Sequence, residues 1–156
     1  MPDAITHLAL VYPFRRLCPT RGQVAALYMG CILPDVCFKA FLYGFQSSIY
    51  FSEPTHSPLV LLAICYFFSL LFDVSERRRI FVILYLASVT HVLLDMLKNH
   101  LGQGVVPLLF PFSLRRYELS LFWPEDSVYV MLIALAAAAI VELALRVRIR
   151  QAKTAS

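Results

Sequence analysis

The chain has 156 residues, 60% of them hydrophobic and 15% charged, with a formal net charge of +4 and a mean hydropathy of +0.70. An ordinary soluble domain carries about 25% charged residues. A chain this short has too little interior to hide so much apolar surface from water, so composition excludes a soluble globular protein and leaves lipid as the solvent.

In chain order, the first apolar segment, Ile5 to Phe14, is too brief to cross a hydrocarbon core of ~30 Å, which takes about 20 helical residues. It predicts a short half-depth or interfacial helix. Four longer stretches follow, over residues 22–45, 57–73, 80–97 and 127–147. The expected fold is therefore all-α, a polytopic transmembrane bundle of about four spans plus the short N-terminal helix, in one membrane-embedded domain covering 1–156. Pro34, inside the first long stretch, is expected to end or kink its helix, because proline lacks the backbone donor. Residues 105–112, with Pro107 and Pro111, read as an apolar loop against the bundle. In the last stretch, Ala136 to Ala139 offer a small-residue packing face, and Glu142 is placed to pair with Arg146 at i+4. No cleavable signal peptide is expected, since the first residues lack a basic segment. The four cysteines, Cys18, Cys31, Cys37 and Cys65, have no CxxC spacing and read as buried inert thiols.

The basic residues act as topology markers. Arg15, Arg16 and Arg21 precede the first long stretch, Arg77 to Arg79 separate the second and third, and Arg146, Arg148, Arg150 and Lys153 follow the last. Four alternating spans put these ten residues on one side and only Lys98, Arg115 and Arg116 on the other, which the positive-inside rule makes the outer side. The basic charge is thereby explained without nucleic acid, and no nucleic-acid partner is expected. Trp123, Tyr117 and Tyr129 fall where an aromatic belt would meet the outer interface.

Ionisable residues within spans are costly and demand a reason. His91 and Asp95 are four apart and share one helix face; that spacing suits either a shared cation or a structural hydrogen bond between helices. Asp35 follows Pro34, His56 stands in Pro54-Thr55-His56-Ser57-Pro58, and His7 lies on the short N-terminal helix. His7 can join the others only if that helix re-enters the bundle. Together His7, Asp35, His56, His91 and Asp95 form a candidate metal site of mixed imidazole and carboxylate ligands, which suits zinc first and also manganese or iron. His100, Glu53 and Cys37 are open candidates at its edge.

The succession Thr6-His7-Leu8, Leu33-Pro34-Asp35, Pro54-Thr55-His56-Ser57, His91-Val92-Leu93-Leu94-Asp95, Gly102 and Leu109-Phe110-Pro111-Phe112-Ser113 resembles the bacterial inner-membrane YdjM-like family, described as metal-dependent hydrolases. The resemblance covers residues 5–113. It implies a helical membrane enzyme with a divalent metal held by His7, Asp35, His56, His91 and Asp95, in the inner membrane. Two departures, Cys37 where the family often has a second aspartate and Phe51-Ser52 where it often has His-Arg, put a second metal in question. The order of His, Asp, His and His-x-x-x-Asp is also more faintly similar to zinc-dependent phospholipase C, which favours phosphoester hydrolysis.

The expected function is thus a membrane-embedded hydrolase acting on a phosphoester or lipid-like substrate near the outer leaflet, with His7, Asp35 and His91 in catalytic roles. Arg115 and Arg116 would either bind a substrate phosphate or anchor a loop to headgroups. The alternatives are a small ion, proton or metal transporter, and a structural membrane protein whose His and Asp residues only join helices.

Overall fold

The computed structural model describes residues 3–44, 53–99, 101–102 and 106–154. These form five α-helices with short connecting turns: α1 (Asp3–Val11), α2 (Arg21–Lys39), α3 (Pro58–Ser69), α4 (Arg77–Met96) and α5 (Ser127–Thr154). A 3-10 stretch, Tyr12–Leu17, follows α1; a π-turn, Ala40–Gly44, extends α2; a 3-10 turn, Glu53–His56, leads into α3. The described residues contain no strand, only the isolated bridges Lys98 to Phe122 and Val106 to Tyr117.

Three helical stretches are long and apolar enough to cross a membrane: Arg21–Gly44, Arg77–Met96 and Pro124–Arg148. The second expected stretch forms a shorter apolar helix than the other three. There the helix covers only the 12 residues Pro58–Ser69, about 18 Å at 1.5 Å per residue, because Pro58 opens it and Leu70, Leu71 and Phe72 already turn toward α4. This shortness sets the depth of the residue just before it. His56 enters the bundle roughly one short helix away from the arginine-bearing end rather than at the far membrane surface.

The core is the packing of α2 on α4, with α3 on one side and α1 on the other. Ala26, Leu33, Cys65, Ile80 and Leu84 form one buried cluster, and Val11, Leu27, Cys31 and Ala87 a second. The closest approach is at Gly30, where an added Cβ would lie 2.5 Å from the Leu84 carbonyl oxygen and 2.9 Å from the Ala87 Cβ. Pro34 explains what happens next to it. Of the two outcomes expected at Pro34, the helix does not end there: α2 runs through it to Lys39. The proline has no N–H for the carbonyl four residues earlier, which is that of Gly30. Ser88 on α4 supplies the missing donor, its Oγ donating to the Gly30 oxygen at 2.8 Å. A neighbouring helix thus satisfies the backbone group that proline leaves open, as lipid-embedded helices require.

At the arginine-bearing end, the Thr20 side chain caps α2 by accepting from the Gln23 N–H at 3.2 Å and donates to Glu76 Oε2 at 2.7 Å. Thr20→Ala removes both, and a thermal melt in detergent is expected to show a loss of about 0.5–2 kcal/mol, the usual cost of an N-cap; an unchanged melt would mean that water replaces both bonds.

The helix α1 re-enters the bundle, with Thr6, His7, Ala9 and Val11 buried. It packs between α2 and α5, which is possible because α5 presents Ala134 and Ala138 inward. Most of α5 faces outward, with Leu132, Ile133, Ile140 and Leu143 exposed, as a lipid-facing helix should be. Glu142 pairs with Arg146 Nε at 2.8 Å as expected, and also with Arg15 Nη2 at 3.0 Å and Arg16 Nη2 at 2.6 Å. The basic residues before α2 and near the end of α5 therefore meet at one end of the bundle.

Of the expected apolar loop, Val106 and Pro107 are buried while Leu109 and Phe112 are exposed. Val106 is fully buried against Leu61, Val92 and Met96, and Ser57 Oγ donates to the Phe110 carbonyl at 3.1 Å. Trp123 and Tyr129 are exposed at the start of α5. Tyr117 is not part of that belt, because the bridge to Val106 turns it onto the Leu61 and Val92 cluster.

Candidate metal centre

Four side chains from three places in the fold converge. Asp35 comes from the C-terminal third of α2, one residue beyond the proline. His91 and Asp95 come from the last turns of α4, where i,i+4 spacing sets them on one face. His56 comes from the 3-10 turn before α3. The His56 Nε2 lies 3.7 Å from Asp35 Oδ1 and 3.7 Å from Asp95 Oδ2. The His91 Nε2 lies 3.6 Å from Asp35 Oδ1 and 3.1 Å from Asp95 Oδ2.

One ligand atom from each of these four residues lies within 4.8 Å of all the others, so the group could hold a metal ion. Bonds of ~2.0–2.1 Å in a tetrahedral site place neighbouring ligand atoms about 3.3 Å apart, close to the four separations found here. Two imidazoles and two carboxylates are also a donor set that divalent transition metals accept. The residues present therefore fit a metal ion.

The surroundings orient these ligands. His91 Nδ1 is 2.7 Å from the Cys31 carbonyl, an atom that can only accept, so Nδ1 carries the proton. This leaves Nε2 directed at the carboxylates, buried and without a hydrogen bond among the described residues. The His56 ring has Thr55 Oγ1 at 3.3 Å from its Nδ1 and the edge of Phe38 against it, with centroids 5.6 Å apart. Asp35 is the most exposed of the four, with 26% of its side chain accessible, and marks where the site opens.

His7 stands beside this group. Its ring stacks on His91 with centroids 3.9 Å apart, and its Nε2 lies 3.5 Å from Asp95 Oδ1. Its Nδ1 is buried with no hydrogen-bond partner among the described residues.

Of the edge candidates, Glu53 pairs instead with Arg116 at 2.8 Å, and that pair ties the turn before α3 to the loop before α5. Arg115 is stacked over the Tyr117 ring at 5.5 Å. Cys37 packs into the apolar cluster around Cys65, and His100 lies outside the described residues. Two contributors were not singled out from sequence. Lys98 places its Nζ 2.5 Å from Asp95 Oδ1, a contact its i+3 spacing could have suggested. The Cys31 carbonyl, which orients His91, carries no sequence signal at all.

A helical bundle with spanning helices and a buried cluster of two histidines and two aspartates defines a polytopic membrane protein with a possible metal centre. The chain matches the YdjM inner membrane protein family over residues 3–155, and it belongs to that family. No curated protein and no solved structure matches it, so the fainter likeness to zinc-dependent phospholipase C gains no support.

Proposed function

We propose that the protein is a membrane-embedded metal-dependent hydrolase, acting on a phosphoester or lipid-like substrate. The observation that carries this reading is His91 Nε2. It lies 3.1 Å from Asp95 Oδ2 and 3.6 Å from Asp35 Oδ1, and His56 Nε2 faces the same two carboxylates, so that one ion could be shared by all four groups. Asp35, His56, His91 and Asp95 would hold the ion, and zinc fits the donor set best. A bound divalent ion would bring a water molecule's pKa down to about 7 and polarise the substrate oxygen.

The chain's own groups complete the chemistry. The Cys31 carbonyl fixes the His91 tautomer, the kind of outer contact that keeps a ligand basic and oriented. His7, stacked on His91 and within reach of Asp95, is placed to take or return a proton at the edge of the site. Lys98 holds a positive charge beside Asp95, where an anionic substrate group would gather. The site lies toward the membrane face opposite the arginines, since Asp35 and His91 are each 14 residues, about 21 Å of helix, beyond Arg21 and Arg77. By the positive-inside rule this is the extracytoplasmic side.

A carrier using the same ligands would need polar groups leading on to the other face. Below the site the interior is mainly apolar, with Ala26, Leu27, Leu84 and Ile80, and its buried polar side chains Ser88, Ser69 and Gln23 are uncharged and hydrogen-bonded within the protein, which favours an enzyme. The test is turnover of a panel of phosphomonoesters and phospholipids by zinc-loaded protein in detergent. Metal-dependent release of phosphate or alcohol, reduced at least about 100-fold in His7→Gln if that ring carries the proton, is expected. Stoichiometric metal with no turnover on any ester, together with metal uptake into proteoliposomes, would replace the hydrolase by a carrier.

A further inference from the structure

A second site shares none of the four candidate ligands, and it does not depend on the hydrolase reading. A groove of about 970 Å³ runs between α1, α2 and α5. Its walls are apolar, including Ile5, Leu8, Met29, Ile32, Leu135 and Ala139, and it ends at Glu142 and Arg146. From Leu135 to Arg146 is 11 residues of α5, about 16 Å, which is half of a ~30 Å hydrocarbon core. The groove is one leaflet long.

Its polar end carries surplus positive charge. Three guanidiniums, those of Arg15, Arg16 and Arg146, share the single carboxylate of Glu142, leaving a net charge of two. Arg15 is held in place over the Tyr12 ring at 3.6 Å and donates to the Tyr12 carbonyl at 3.0 Å. Arg146 uses only its Nε on Glu142 and its side chain is 65% exposed. Among the described residues its two terminal nitrogens have no partner, which leaves the planar fork that matches phosphate oxygens.

We propose that this groove binds one anionic phospholipid from the leaflet on the arginine-bearing face, with an acyl chain along α5 and the phosphate at Arg146 and Arg16. The match of groove length to one leaflet and of surplus charge to an anionic headgroup selects this occupant over a second protein helix, which would bring no phosphate to the guanidiniums.

The test is native mass spectrometry of the full chain in detergent, titrated with phosphatidylglycerol and with phosphatidylcholine of the same chains. The parent is expected to retain one phosphatidylglycerol in preference to phosphatidylcholine. Arg146→Gln leaves the Arg15 and Arg16 pairs with Glu142 in place and should reduce that preference about fivefold, the effect of roughly 1 kcal/mol per basic residue near a membrane surface. Ala139→Trp fills the groove and should lower retention of both lipids. Equal retention of the two lipids by the parent, an unchanged preference in Arg146→Gln, or a dimer that excludes lipid would each overturn the proposal.

Discussion

His91→Ala is expected to lower zinc affinity by more than about 100-fold, because loss of a partner that merely orients a ligand already costs 10–100-fold and this change removes the ligand itself. Asp95→Ala should do the same, since its Oδ2 lies against both imidazole nitrogens. Elemental mass spectrometry of detergent-purified protein measures the ion directly. Stability provides a second readout: an ion that binds only the folded chain adds about 2.7 kcal/mol at a hundred times its dissociation constant. The parent should therefore melt higher with zinc while His91→Ala does not respond. Absence of any metal in the parent after loading with zinc, manganese and iron would leave the cluster as a polar joint between α2, α3 and α4. Full metal content in a folded His91→Ala protein would move the site elsewhere.

Gly30→Ala is the other change expected to have a large effect, despite adding only one methyl group. Alanine gains about 1 kcal/mol over glycine from helix propensity alone. Here its Cβ would stand 2.5 Å from the Leu84 carbonyl oxygen and 2.9 Å from both the Leu84 Cα and the Ala87 Cβ. Two of these three neighbours are backbone, so the helices themselves must part, and overpacking of this kind costs about 1–3 kcal/mol. The separation also pulls Ser88 from the Gly30 oxygen and His91 from the Cys31 oxygen. The expected result is a lower melting temperature together with weaker metal binding, although Gly30 touches none of the ligand atoms. Gly44→Ala is the control, because nothing lies within 4 Å of its added Cβ. Equal behaviour of the two variants would show that α2 and α4 are not in tight contact at Gly30.

Properties local in the chain were legible in the sequence. Apolar runs of membrane-spanning length, the segregation of arginines, the i,i+4 placement of His91 and Asp95, and the pairing of Glu142 with Arg146 all depend on helical periodicity and on the cost of charge in lipid. Those two rules sufficed to name the residues that meet at the site and to require that α1 re-enter the bundle if His7 is to reach them. The second stretch forms a shorter helix than its apolar run suggests, because hydropathy does not register where a helix stops. Leu70 to Phe72 are as apolar as the helix before them, yet they form its exit turn.

That the helix would continue past Pro34 was not legible either. A proline leaves the carbonyl four residues earlier without its donor, and the group that takes up that carbonyl, Ser88, is 58 residues from Gly30 in sequence. The same holds for the Cys31 carbonyl that fixes His91, 60 residues away, and for the basic cluster that Arg15 and Arg16 form with Glu142, more than 120 residues on. The sequence by itself determined that the chain lives in a membrane, which end of each helix bears the arginines, and which polar residues needed a partner. Only the tertiary structure decided who those partners are, because they are set by the register between α2 and α4, and that register depends on how closely two backbones can approach at a single glycine.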